Sequence, residues 1–166
     1  MTGTTHLLAG AAMGKILKNP VLAIIIGFLI HFIMDLVPHW DLGYLFCKKW
    51  TCYLMAMSDP IFGIAVLVIL GLIARFDKKT WIIVFLGGLS SIAPDVMSVI
   101  IRTFHIEWMR WFLEIHRFAH YFQRSTGDVF AWGTVSFTIK QMLVGLAVQV
   151  PFLALSIWIL LRDKRK

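Results

Sequence analysis

The chemistry available to this sequence lies in its histidines and aspartates. His31 and Asp35 are four residues apart, a spacing that puts both on one face of a helix. His116 and His120 repeat that spacing, which is the spacing of paired histidine ligands on zinc-binding helices. His39 and Asp41 follow Pro38, Asp59 precedes Pro60, Asp95 follows Pro94, and His6 lies near the start. Imidazole mixed with carboxylate is a donor set for zinc, whereas an all-oxygen set suits calcium or magnesium. The expectation is one or more Zn2+ ions, or another divalent metal, held by His6, His31, Asp35, His39, Asp41, Asp95, His116 and His120. Asp95 and Asp59 are the expected catalytic carboxylates, bridging metal or acting as base. Zinc would bring the pKa of a bound water to about 7 and so supply hydroxide at neutral pH.

Each residue also has a plainer reading. The plainer reading of His31 and Asp35 is a satisfied polar pair, and Asp59 before Pro60 is equally a helix cap. His39 and Asp41 fit a solvated loop, and His116 and His120 fit a polar surface. His105 falls off the face the others share. Cys47 and Cys52 flank Lys48-Lys49-Trp50-Thr51, as a disulfide or as two thiols.

The elements that must carry these residues are apolar. The 166 residues are 59% hydrophobic and 15% charged, with mean hydropathy +0.80. A soluble average is about 25% charged. Disorder is excluded by thirteen Phe and seven Trp. The net charge of +7 sits in short basic clusters at the ends of apolar runs, which is not the pattern of a nucleic-acid-binding face. Together these features predict an all-α integral membrane protein, one domain over 1–166, with four to five membrane helices.

The expected segments are Thr5–Leu17, Pro20–Val37, Tyr53–Phe76 interrupted by Asp59-Pro60, Thr80–Phe104 interrupted by Pro94-Asp95, and Thr134–Leu161. An amphipathic interfacial helix is expected over Glu107–Arg124. Gly10 and Gly14 have the small-xxx-small spacing of close helix packing, and Asn19-Pro20 reads as cap and first helical residue. The basic clusters orient the N-terminus outside and the C-terminus inside a cytoplasmic, prokaryotic-type membrane. On that topology nine donors from five segments converge on the outer face. An aspartate in the membrane costs about 2.5–3.5 kcal/mol, and a zinc site worth about 10–16 kcal/mol would offset several.

Four motifs carry a family resemblance: T-T-H-L-L-A-G-A-A at Thr4–Ala12, H-F-I-M-D-L-V-P-H-W-D at His31–Asp41, A-P-D at Ala93–Asp95 and H-R-F-A-H at His116–His120. They resemble the predicted membrane-bound metal-dependent hydrolases, regarded as distant relatives of zinc-dependent phospholipase C and related all-helical nucleases. The resemblance implies metal-ligand roles for His6, His31, Asp35, Asp95, His116 and His120. Departures are Val96-Met97-Ser98 after Pro-Asp, closer paired histidines followed by Tyr121, and a different motif order. The expected function is a membrane-embedded zinc hydrolase acting on a phosphoester such as a phospholipid headgroup. Its partners would be the bilayer and that lipid, with no nucleic acid. Arg117, Arg124 or Lys140 would receive the phosphate. The alternatives are an ion- or proton-coupled transporter subunit and a metal-stabilised membrane scaffold.

Overall fold

The computed structural model describes residues 1–37, 39, 50–119 and 139–162. These form six α-helices: α1 (Gly3–Leu17), α2 (Pro20–Asp35), α3 (Trp50–Ile73), α4 (Lys78–Thr103), α5 (Arg110–Ala119) and α6 (Ile139–Leu161). A 3-10 turn, Glu107–Met109, leads into α5. Asp41, Cys47, His120, Tyr121 and Arg124 lie outside the described residues.

The caps follow from local chemistry. The Thr2 hydroxyl accepts from the Thr5 N–H at the start of α1. Lys18 ends that helix in the left-handed region, at φ 55°, and its N–H closes onto the Gly14 carbonyl. The Asn19 side chain then accepts from the N–H groups of Val21 and Leu22, with Pro20 at the first helical position. Two short helices are thus joined by a turn of two residues.

Helix α1 is the central element. Thr4 to Ala12 and Gly14 are all buried, and the helix packs on α2, α3, α4 and α6. Small residues make this possible. A Cβ at Gly27 would lie 2.5 Å from the Gly87 carbonyl oxygen, and one at Gly14 would lie 2.7 Å from that of Ile83. Gly10 and Gly87 would each strike the other's carbonyl oxygen. The backbones of α1, α2 and α4 therefore touch. Leu7, Leu8, Ala11 and Ala12 meet Leu67, Leu70, Val84, Ile92 and Leu160 in the main apolar core.

Several expectations are corrected here. Pro60 and Pro94 do not interrupt their helices; α3 and α4 run through them. Four to five membrane helices are not found. Among the described residues only Lys78–Thr103 is long and apolar enough to cross a membrane, and 44% of its most apolar window is buried inside the bundle. Helix α2, Pro20–Asp35, is shorter, as are the described apolar stretches Met57–Ile73 of α3 and Ala147–Leu161 of α6. A 16-residue helix covers about 24 Å against a hydrocarbon core of about 30 Å. The multi-pass placement, its inside-out orientation, the bilayer as partner and the transporter and membrane-scaffold alternatives lose their basis with that count. The segment read as an interfacial helix packs on the bundle instead. It buries Phe112, His116 and Ala119, and the Phe112 ring lies 6.4 Å from Phe28 and 6.2 Å from Phe32.

Candidate metal centre

Four helices deliver the polar cluster. The first turns of α1 bring His6, and the last turn of α2 brings His31 and Asp35 on one face, as the four-residue spacing requires. Asp95 comes from α4 just after Pro94, and His116 from the buried face of α5. His39 folds back from beyond α2 and is also buried. His6, His31 and Asp35 are essentially inaccessible, while the Asp95 side chain is 26% exposed.

The hydrogen bonds set which ring nitrogen is available. His31 Nδ1 lies 2.8 Å from the Ser91 carbonyl. A carbonyl only accepts, so Nδ1 carries the hydrogen and the lone pair of the neutral ring is on Nε2. His116 Nδ1 is 2.5 Å from the Ser98 hydroxyl, and His39 Nδ1 donates to the Val37 carbonyl at 2.7 Å. Metal-bound histidines are held by their second nitrogen in this way.

The available nitrogens face oxygens and one another. His31 Nε2 lies 3.0 Å from Asp35 Oδ2 and 3.1 Å from His116 Nε2, and His116 Nε2 lies 3.6 Å from Asp35 Oδ2. Donors on a tetrahedral zinc stand about 3.3–3.5 Å apart, so these three atoms approximate one face of such a site. Asp95 Oδ1 is beside it, 3.4 Å from His116 Nε2 and 3.8 Å from His31 Nε2. On the other side, Asp35 Oδ1 faces His6 Nε2 at 3.0 Å and His39 Nε2 at 3.5 Å. The Met1 amino group reaches Asp35 Oδ1 at 2.9 Å and also meets His39 Nε2. Among the described residues, two groups of donors have the compactness a metal ion needs: His6, His31 and Asp95, and His31, Asp35 and His116.

The electrostatics report the same crowding of acceptors. Burial, followed by neighbouring His31, pushes His6 down to about 4. Burial and then the Met1 amino group hold His39 low, at about 2. Burial opposes charge on His31 too, but Asp95 and Asp35 outweigh it and raise this imidazole. Burial alone would raise Asp35, yet the amino group, His6 and His31 hold it well below the usual carboxylate range. The cluster therefore calls for positive charge, which a proton on His31 or a divalent ion can supply.

The remaining sequence expectations divide. His6, His31, Asp35, His39, Asp95 and His116 come together. Asp59 is elsewhere: its carboxylate accepts from the N–H groups of Gly3, at 2.5 Å, and Thr4, at 3.2 Å, and from the Thr4 hydroxyl. It caps the first turn of α1 from another helix. His105 is exposed, at φ 50°, and is in neither donor group. Arg117 pairs with Glu114 on the exposed side of α5. Ser91 and Ser98 are contacts of the cluster that the sequence does not single out, although Ser98 is among the departures from the family pattern. Ser91 also donates its hydroxyl to the His6 carbonyl at 2.8 Å, tying α4 to α1 at the cluster. Its position seven residues before Ser98, two helical turns on one face, was the available signal.

No protein-family model, curated protein or solved structure matches this chain. The resemblance to membrane-bound metal-dependent hydrolases is corrected accordingly. Short His and Asp motifs follow from donor chemistry and spacing, which need no common ancestry. What the motifs build here is a buried His/Asp cluster, consistent with metal binding, in a packed helical bundle. The phospholipid substrate and the outer-face, membrane-embedded reaction go with that correction.

Proposed function

We propose that this protein holds a divalent metal ion, zinc first among candidates, at His31, Asp35 and His116, with Asp95 beside them. One observation carries the reading. His31 Nε2, left as a lone pair by the Nδ1 bond to Ser91, meets a carboxylate oxygen and a second imidazole nitrogen within 3.1 Å. A buried carboxylate oxygen set between two imidazole nitrogens is a donor set that a cation satisfies. His6 and His39 lie against the other oxygen of Asp35, and Asp41 and His120, outside the described residues, stay in the proposal as candidate ligands.

The chemistry proposed is metal-dependent hydrolysis, with a phosphoester as substrate class. When bound, the ion supplies Lewis acidity and brings the pKa of a water it holds to about 7. Asp95, the most accessible carboxylate of the cluster, takes up the proton. His31 and His116 are kept in orientation by Ser91 and Ser98. Asp59 is left to its capping role. A second reading, an ion that only clamps α2, α4 and α5, is favoured by the burial of the other donors.

The test is turnover of a chromogenic phosphodiester by purified chain. Activity that needs zinc and disappears in His116→Ala supports the hydrolase. Bound zinc with no turnover favours the clamp.

A further inference from the structure

The two groups of donor atoms share one residue, His31, and that residue has one lone pair to give. Its Nδ1 hydrogen is committed to the Ser91 carbonyl, so Nε2 is its single ligating atom. A set built on His6, His31 and Asp95 and a set built on His31, Asp35 and His116 therefore exclude each other. Two observations decide between them. His31 Nε2 is closer to Asp35 Oδ2 and His116 Nε2, at 3.0 and 3.1 Å, than to Asp95 Oδ1 at 3.8 Å. His6 Nε2, in turn, points at the opposite oxygen of Asp35, 3.0 Å from Oδ1.

Resting on the metal reading above, we infer that the centre takes one ion per chain and that His6 is a positioning residue, not a ligand. His6 donates from Nε2 to Asp35 Oδ1 and so presents Oδ2 to the ion. The Nδ1 of His6 then has no hydrogen-bond partner among the described residues, as expected of a ring whose one hydrogen is used on Asp35. The stacking of His6 on His31, with centroids 4.2 Å apart, fixes the ring in that role. A carboxylate that ligates through one oxygen and accepts from a histidine through the other is an oriented ligand of the kind that outer partners maintain.

The roles separate in a cobalt titration of the purified, chelator-treated full chain. Co2+ alone is the probe, read by its visible d–d bands. The bands are expected to saturate at one Co2+ per chain. His6→Gln, whose amide N–H can still donate to Asp35, should keep that ratio and the wild-type band shape with nearly wild-type affinity. His6→Ala should keep the ratio and weaken binding by about 10–100-fold, the usual cost of losing an outer partner. Saturation at two ions, or a His6→Gln spectrum altered as by loss of an imidazole ligand, would overturn this inference and leave the metal reading standing. No binding by the wild-type chain would overturn that reading itself. Should His6→Ala fail to fold, His6→Gln decides alone.

Discussion

The imidazoles of His6 and His31 stack face to face, 4.2 Å between centroids and 29° from parallel, at the point where α1 crosses α2. Two stacked rings cannot both be charged, and the pair resolves this by opposite shifts. His6 is depressed to about 4, by burial and then by His31, while the carboxylates raise His31 against its burial.

A pH dependence of stability follows for the metal-free chain. Below about pH 6.5 an unfolded chain protonates His6, but the folded one resists until about 4, so stability falls with acid across that window. The difference amounts to about 3 kcal/mol, and His39 acts in the same direction. His31, raised on folding, contributes stability that is fully present below 6.5 and is lost as pH rises through its folded value. Asp35, depressed on folding, contributes stability that is lost only near and below the usual carboxylate range. Thermal melts should therefore show Tm falling from pH 6.5 to 4.5, with a shallower fall in His6→Gln. A Tm that rises on acidification would contradict the burial of neutral imidazoles.

Gly87→Ala tests the contact between helix backbones. Its Cβ would strike the Gly10 carbonyl oxygen, an atom that no side-chain rotation can move. Overpacking of this kind costs about 1–3 kcal/mol, or about 2–12 °C in Tm for a chain of this size. Calorimetry on the variant reads it directly; an unchanged Tm would mean that α1 and α4 are further apart.

Ser98→Ala should separate orientation from ligation. Its hydroxyl holds His116 Nδ1 at 2.5 Å, and without it the imidazole can rotate. Zinc affinity is expected to fall about tenfold, the low end for an outer-partner loss, with one ion still bound at saturation. Competition with a chromogenic chelator measures this, and undiminished affinity would remove Ser98 from the site.

Asp59→Ala should act on stability alone. It removes the acceptor for the N–H groups of Gly3 and Thr4, and loss of a helix cap costs about 1–2 kcal/mol. Metal content should stay at the wild-type value. Loss of metal with stability intact would return Asp59 to the chemistry.

What could be read beforehand was whatever local spacing determines. The four-residue spacing of His31 and Asp35 fixes a shared face, and Asn19-Pro20 marks a helix start by cap chemistry. Gly10 and Gly14 mark a close approach, though not the partner, α4. Pro60 and Pro94 were misleading because a helix supported by tertiary packing tolerates one missing N–H. The membrane reading came from counting apolar residues, which cannot say where they pack. The run around Ala9 to Ala12 disappears into the bundle centre. The bond from His31 to Ser91 was invisible because its acceptor is a backbone carbonyl, which every residue possesses.

The central claim is that His31, Asp35 and His116 hold a metal ion, and elemental analysis of the purified chain tests it most directly. Wild-type protein should carry a divalent transition metal, zinc first, in stoichiometric amount, and Asp35→Ala and His31→Ala should lose it while remaining helical by circular dichroism. Metal content at background in the wild type, even after incubation with zinc, or equal in all three proteins, would contradict the account.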